Sequence, residues 1–260
     1  MLLFFIKFFL TYLALLIKNT TTRLLMVYNF FTSVFFLFFS LTATTPKHTE
    51  SKGTLAAVEN TAAAETQNVY NSIKMHSASM PKFECFSKAM NGFKRLKAQG
   101  KIKKDLLTLI DFSQSSNTKR LWIIDMTNNT VLYNTLVAHG RNSGDEFATD
   151  FSNAESSNKS SLGFYSTGEI YTGKHGASLR LDGLENGINS NARNRAVVMH
   201  AADYVSESFI KMHKRLGRSQ GCPALPAGLT KEVINLIKGK SCLFIYHPSQ
   251  SYVASSKLLS

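Results

Sequence analysis

The uneven distribution of apolar residues is the feature that most restricts how this chain can fold. Leu24–Leu41 is 18 residues without a charge, close to the shortest helix that crosses a bilayer. An earlier apolar run, Met1–Ile17, is interrupted by Lys7. Ten of the 19 Phe, but no Asp or Glu, stand before residue 44. Since no long apolar run follows residue 41, a multi-span membrane protein is excluded, and the remaining residues must supply the folded domain.

Two interpretations of the apolar head, residues 1–43, compete. Lys18 and Arg23 stand between its two runs, and the sequence after Leu41 is Thr-Ala-Thr-Thr-Pro. Small polar residues of this kind are typical of a signal-peptidase site, so the second run can be a signal peptide cleaved after Ala43. Alternatively it is kept as a membrane anchor, whose N-terminal side the two basic residues hold in the cytoplasm. Both interpretations predict export of the domain.

Composition narrows the class of the exported part. With 15 Gly, 5 Pro and 44% hydrophobic residues, the chain is neither collagen-like nor disordered throughout. Three Cys do not make a disulfide scaffold. Of the net charge of +13, +10 lies after residue 43. Its Lys and Arg are spread over several elements without the aromatic stacking motif of an RNA-binding sheet, so we expect no nucleic-acid partner. Binding to anionic envelope polymers or to lipid headgroups explains this positive charge equally well.

Three segments follow the head. Residues 44–80 are rich in Thr, Ala, Ser and Asn and are predicted to be a linker that can include some helix. Residues 81–99 are predicted to form an amphipathic helix, because apolar residues recur there at three- and four-residue spacing. Residues 100–250 alternate short apolar stretches with turn residues, which predicts a mixed, β-rich domain with a few helices. Within it, residues 139–195 are predicted to form short strands and functional loops, and Ser206 is predicted to cap a helix ended by Gly217.

His200 and Cys222 are the candidate catalytic pair. His200 ends a predicted strand, Cys222 lies in a Gly-Cys-Pro turn 22 residues later, and a helix between them can bring the two together. A thiol with a free pKa of about 8.5 needs a base or a positive field to become a nucleophile, and a neighbouring His supplies both. From spacing alone, the alternative that Cys222 is a small buried hydrophobic residue stays open.

The neighbours of this pair are further candidates. Gly221 removes side-chain bulk, so that backbone N–H groups can form an oxyanion hole. Ser219 can donate another hydrogen bond, and Arg218 can hold an anionic group of the substrate. His139 follows a predicted strand and can line the cleft, the alternative being a solvated loop residue. The Cys and His residues lack the paired spacing of a zinc site, so we expect no metal.

The motif Ser-Gln-Gly-Cys-Pro-Ala at 219–224, following His200, resembles the L,D-transpeptidase catalytic domain (YkuD-like) family. The match is to its murein L,D-transpeptidase branch, which has a Ser-x-Gly-Cys-Pro-Ala motif. The resemblance covers about residues 100–247. It is carried in addition by VAHG at 137–140, FSN at 151–153, SLGFY at 161–165, YTGKHG at 171–176, LDGLE at 181–185 and LGRS at 216–219.

The resemblance implies a β-sandwich-like catalytic domain in the bacterial periplasm or cell envelope, acting on peptidoglycan stem peptides. Cys222 would attack the carbonyl of the third residue of a tetrapeptide stem and expel the terminal D-alanine, with His200 as base. The thioester would pass to an amine of a neighbouring stem, or to water in an L,D-carboxypeptidase. Tyr171 and Gln220 would contact the substrate. No cofactor is implied, and the oligomeric state is not predicted.

Three positions depart from the broader family. Gln220 stands where His is usual and Ala224 where Arg is usual, both shared by the Pro-Ala branch. Ala201 stands where Gly is usual. If that position required a positive φ, alanine would cost roughly 1 kcal/mol or more. Ala201 therefore motivates a further hypothesis, a non-catalytic wall-binding protein with the same fold. A Cys/His peptidase of unrelated fold is the remaining alternative.

Overall fold

The computed structural model describes residues 63–75 and 79–259, together with Leu10, Thr11 and Lys18. The chain divides into two units, Met1–Ala56 and Ala57–Ser260. The predicted signal peptide or anchor over residues 1–43 lies outside the described residues, apart from those three. Within the described part, no helix combines the length and apolar character needed to cross a membrane.

Five helices and eight strands make up the described part of the second unit. The helices are α1 (63–72), α2 (Phe83–Ala98), α3 (Glu207–His213), α4 (Ala227–Ile237) and α5 (Gln250–Ser255). The strands are β1 (Leu106–Asp111), β2 (Leu121–Asp125), β3 (Thr130–Thr135), β4 (Gly163–Gly173), β5 (Gly176–Gly183), β6 (Val198–Ala201), β7 (Ala224–Leu225) and β8 (Cys242–Tyr246). The predicted mixed, β-rich fold with a few helices is confirmed.

The strands form one sheet in the order β3-β2-β1-β8-β4-β5-β6-β7. The pairs β1–β8 and β6–β7 are parallel, and the other neighbours are antiparallel. Just past β3, the N–H of Ala138 donates to the carbonyl of Ala224 at 2.9 Å, and the reverse bond measures 3.4 Å. This pairing joins the two ends of the strand order, so the sheet closes into a near-barrel and its edges are covered.

Helix α2 covers the central strands. It packs against β1 and β8. Of the apolar side chains whose spacing predicted it, Phe83 is exposed, and the other four are buried: Phe86, Met90, Phe93 and Leu96. Each such side chain contributes about 1.5–3 kcal/mol when fully removed from water. Gly92, on the same face, lets the ring of Phe164 approach so closely that a Cβ would lie 2.1 Å from it. Helix α4 packs against β4, β5 and β6.

Part of the segment predicted to be a linker is an ordered part of this unit. Helix α1 is followed by Ile73, which is buried in the core. The N–H of Lys74 then donates to the carbonyl of Asn129 at 2.7 Å, and its own carbonyl accepts from Val131 at 3.0 Å. The Thr- and Ala-rich composition hides this docking, because only a few apolar residues of the segment make it.

Two elements differ in length from the prediction. The apolar stretches around 162–171 and 179–181 belong to one long hairpin, in which β4 is 11 residues and carries a bulge between Thr167 and Ile170. Helix α3 is capped as predicted, with the Ser206 hydroxyl accepting from the N–H of Phe209. It ends at His213 rather than at Gly217, because Lys214 adopts a positive φ of 60° and closes the last turn.

Candidate active site

Strand β6 and the turn before β7 bring the predicted pair into one cleft. His200 pairs with Ala224 across the parallel β6–β7 ladder, and Cys222 stands two residues before Ala224. The N–H of Val198 donates to Cys222 Sγ at 3.4 Å. Val198 and His200 lie on the same face of β6, since side chains two apart in a strand share a face. Cys222 and His200 both line one cleft, whose volume is about 740 Å³.

The protonation geometry of His200 follows from one hydrogen bond. Its Nδ1 lies 2.8 Å from the carbonyl oxygen of Ala201. A carbonyl only accepts, so Nδ1 carries the proton, and neutral His200 keeps the Nε2 lone pair as a base. Burial lowers the pKa of His200, while the bond to Ala201 raises it and the charge of His175 lowers it further. Neutral His200 is thus favoured at neutral pH.

Two neighbours of His200 were judged differently from the sequence. The ring of His175, at the tip of the β4–β5 hairpin, stacks on His200 with centroids 4.4 Å apart. The local sequence Gly-Lys-His-Gly is equally typical of an ordinary turn and does not by itself indicate this contact. Ala201 is the last residue of β6, and it is not among the positive-φ residues of the described chain. Alanine therefore brings no backbone strain to this position.

The Cys222 thiol sits against the start of β6. Besides accepting from Val198, it donates to the carbonyl of Ala196 at 3.7 Å. Burial, the largest effect, raises the pKa of Cys222, while the Val198 N–H and the charge of Arg195 lower it. The resting thiol is therefore favoured, and a base is needed to generate the thiolate.

Ser219 and Gly221 have roles other than those expected. The Ser219 hydroxyl accepts from the N–H of Gly221 at 3.0 Å and donates to the carbonyl of Cys222 at 2.6 Å. The N–H of Gly221 is therefore committed within the turn instead of facing a substrate carbonyl. Gly221 is required because its φ is +119° and a Cβ would lie 2.7 Å from the carbonyl oxygen of Lys159. Both residues hold the shape of the turn that carries Cys222.

The N–H of Cys222, unlike that of Gly221, is not committed within the turn. Among the described residues, none accepts a hydrogen bond from it. An uncommitted backbone N–H beside a thiol has the geometry that an oxyanion hole requires.

His139 does not line the cleft, contrary to expectation. Its side chain is 1% exposed. Nδ1 accepts from the Arg120 guanidinium at 2.8 Å, and Nε2 lies 3.3 Å from the carbonyl of Gly144. Burial and the Arg120 charge lower the pKa of His139 to about 4. Arg120 is itself fully buried and needs acceptors, which explains why a histidine stands here. His139 reaches the site only through its carbonyl, which accepts from the N–H of Ser219 at 2.9 Å.

The other predicted substrate contacts do line the cleft: Tyr171, Arg218 and Gln220. Arg218 Nη1 donates to Asp145 at 2.6 Å and to the carbonyl of Gly144 at 2.9 Å, so it is already engaged at the rim. The guanidinium of Arg180 lies over the Tyr171 ring, 4.4 Å from its centroid. Gln220 is exposed.

Arg195 is the residue of this site that the sequence did not reveal. It lines the cleft beside Ala196 and acts electrostatically on Cys222. In the sequence, only its position just before the strand that carries His200 points to the site. That position does not distinguish Arg195 from an arginine on the surface. In the described part of the chain, no three His, Cys, Asp or Glu side chains are grouped so as to hold a metal ion.

Comparison with known proteins identifies a family whose model matches this chain. The family model described as the L,D-transpeptidase catalytic domain matches residues 77–246. No curated protein sequence matches the chain. Among solved structures, an L,D-transpeptidase from Mycobacterium smegmatis is 11% identical, with a TM-score of 0.34 over 55% of this chain and 59% of that one.

Two further structures are similar at the same level. An L,D-transpeptidase from Xylanimonas cellulosilytica is 8% identical, with a TM-score of 0.33 over 72% of this chain and 93% of that chain. The helical cell shape determining protein from Campylobacter jejuni is 12% identical, with a TM-score of 0.37 over 69% of this chain and 62% of that chain. The family model, by contrast, spans well over half of the sequence. The chain belongs to the L,D-transpeptidase catalytic domain family.

Proposed function

We propose that the protein is an exported peptidoglycan L,D-transpeptidase that works through a Cys222 thioester. Membership of the family supports the reaction class. The observation that carries the proposal is the shared cleft of Cys222 and His200, with His200 Nδ1–H bound to Ala201 and Nε2 left as a base. A hydrogen-bonded third group that orients the base is typical of nucleophilic catalysis.

The first half-reaction releases the terminal D-alanine. His200 Nε2 takes the proton from Cys222, and the thiolate attacks the carbonyl carbon of the third stem residue. The Cys222 N–H stabilises the resulting oxyanion. The C–N bond to D-alanine then breaks, and the proton held by His200 passes to the leaving amine. A thioester between Cys222 and the stem remains.

The second half-reaction transfers the acyl group. An amine of a neighbouring stem attacks the thioester, His200 accepts its proton, and the C–S bond breaks as the new amide forms. The sulfur leaves as thiolate and regains a proton from His200. If water attacks instead, the product is a free carboxylate and the protein is an L,D-carboxypeptidase.

The charge of the cleft suits an anionic stem peptide. Arg141, Lys174 and Arg195 line it together with one acid, Glu155. Arg218 also lines it, paired with Asp145. Cationic side chains attract and orient the carboxylates that stem peptides carry. Tyr171 and Gln220 line the same cleft, so we expect them to contact the substrate as well.

Export belongs to the same proposal. The substrate lies outside the cytoplasmic membrane, and the two apolar runs of residues 1–43 provide a route across it. Expression of the full chain followed by fractionation and mass determination tests this. A mature protein beginning near residue 44 indicates cleavage, and an intact membrane-bound chain indicates an anchor. Full-length protein found only in the cytoplasm would contradict export.

Muropeptides test the activity directly. Purified protein incubated with tetrapeptide muropeptides is expected to give cross-linked dimers, detected by mass spectrometry, whereas tripeptides alone would identify the carboxypeptidase. Cys222→Ala is expected to lose both products. If wild type and Cys222→Ala give the same products, the enzyme hypotheses fail and a wall-binding role gains ground.

A carbapenem adduct identifies the nucleophile. Cys85 and Cys242 are fully buried, so a single acyl adduct in the folded protein is expected on Cys222. Peptide mapping locates it, and Cys222→Ala is the control without an adduct.

A further inference from the structure

The guanidinium of Arg195 is held in a cradle of neutral oxygens. Nη1 donates to the carbonyl of Ser152 at 2.8 Å and to the hydroxyl of Ser161 at 2.6 Å. Nη2 donates to the hydroxyl of Ser157 at 3.1 Å and to the carbonyl of Lys159 at 2.7 Å. No ion pair of the described chain includes Arg195. Its charge is fixed in place yet not neutralised by a carboxylate.

This cradle lies against the turn that carries Cys222. A Cβ built on Gly221 would come within 3.3 Å of Arg195 Nη2 and 2.7 Å of the Lys159 carbonyl. The residue after Arg195 supplies the carbonyl that accepts the Cys222 thiol proton. The missing side chain at Gly221 therefore leaves room for a cation beside the nucleophile.

We propose that Arg195 is a positioning residue whose guanidinium, pinned against the Gly221–Cys222 turn, stabilises the thiolate of Cys222. The inference rests on the proposed role of Cys222 as nucleophile. An opposite charge in a partly buried site favours the charged form far more than the same charge in water. Arg is suited to this task because it stays protonated at all working pH values.

The influence is reciprocal in the structure. Burial lowers the pKa of Arg195, and the anionic forms of Tyr165 and Cys222 raise it. The other ionisable groups near the thiol are Tyr204 and His200, with His175 behind His200. The remaining charged residues of the cleft are Arg141, Glu155, Lys174 and Arg218.

The cradle also explains why residues 152–161 are polar. Residues 152–161 supply all four acceptors, two from backbone carbonyls and two from hydroxyls. Carboxylates in these places would neutralise the guanidinium, whereas serines bind it and leave its charge to act on the thiol.

The pH dependence of Cys222 alkylation by iodoacetamide tests the proposal. The folded, full chain is labelled over a range of pH and the intact mass is followed, since the two other cysteines are buried. Arg195→Gln is expected to move the labelling midpoint up by about one pH unit, so that alkylation below both midpoints slows by about tenfold. Arg195→Lys is expected to keep most of the wild-type midpoint. Arg193→Gln removes an exposed arginine paired with Glu169 and Asp182, and is expected to leave the midpoint unchanged.

A second pair of variants keeps the arginine in place. Ser157→Asp sets a carboxylate beside Nη2 and is expected to raise the midpoint, whereas Ser157→Asn, of similar size and neutral, is expected not to. Unchanged midpoints in both Arg195→Gln and Ser157→Asp would overturn the proposal. Equal shifts in Ser157→Asn and Ser157→Asp would also overturn it, because geometry rather than charge would then be the cause. Alkylation needs no stem peptide, so these outcomes are independent of the muropeptide assay.

Discussion

Gly221→Ala is expected to destabilise the domain by about 2–5 kcal/mol and to slow cross-linking by about a hundredfold. The φ of Gly221 is +119°, and an L-residue forced to a positive φ loses about 1–2 kcal/mol. The new Cβ would also stand 2.7 Å from the Lys159 carbonyl and 3.3 Å from Arg195 Nη2. Relieving such an overlap costs typically another 1–3 kcal/mol. Since a domain is stable by about 5–15 kcal/mol, most of the protein should stay folded.

The functional loss has a separate cause. Relief of the overlap moves the backbone of the turn, and Cys222 with it. A displacement of about 1 Å at a catalytic group can reduce the rate by about a hundredfold. The variant is therefore expected to fold, to label slowly with iodoacetamide at Cys222 and to form cross-linked muropeptides about a hundredfold more slowly.

Gly239→Ala is the matched control. Gly239 has a φ of +79° and nothing within 4 Å of a built Cβ. It should lose about 1 kcal/mol from the backbone alone and keep full activity. Chemical denaturation of both variants measures the two free energies of unfolding. If Gly221→Ala costs no more than Gly239→Ala, or if it still cross-links at the wild-type rate, the account of this turn is wrong.

Three further substitutions have defined outcomes. His175→Ala removes a charge that lowers the pKa of His200. The pKa of His200 should therefore rise, and the acid limb of the pH profile of kcat/KM should move to higher pH. An unchanged acid limb would contradict this coupling between the two histidines. Ser219→Ala removes the hydroxyl that closes the turn, and should cost about 1–3 kcal/mol with a fall in kcat, whereas loss of stability without loss of kcat would exclude a positioning role. His139 has a pKa lowered to about 4 in the folded state, so the unfolded state binds its proton first and stability should fall by about 3 kcal/mol as pH drops from about 6.5 to 4. In His139→Gln the slope of unfolding free energy against pH in that window should flatten, and an unaltered slope would assign the loss to other groups.

Local patterns predicted the elements that depend on local chemistry. The three- and four-residue spacing of apolar side chains predicted α2, and Ser206 predicted the start of α3. Asn129, between β2 and β3, takes a positive φ, which asparagine tolerates in tight turns. For the site, the ordered motifs that resemble the family identified His200 and Cys222, which do share a cleft.

Tertiary contacts determined what the sequence did not reveal. His139 follows a strand as a cleft residue would, but the buried Arg120 needs an acceptor and takes its Nδ1. The local sequence leaves the N–H of Gly221 free to bind a substrate carbonyl. Only the folded turn shows that this N–H donates to the Ser219 hydroxyl. Arg195 carries no local pattern, because its four partners come from a different stretch of the chain.

The closure of the sheet at Ala138 and Ala224 has a consequence for the order of assembly. The segment after β3 forms hydrogen bonds on both sides of Cys222, at Ser219 and at Ala224. Cys222 is therefore flanked by contacts between residues far apart in sequence. Such contacts form late, after the local hairpins. We expect refolding protein to recover secondary structure before it recovers a reactive Cys222. Thiol labelling during refolding would then report when the pairing between Ala138 and Ala224 forms. A chain that has the rest of the sheet but lacks this pairing would not yet have a reactive Cys222.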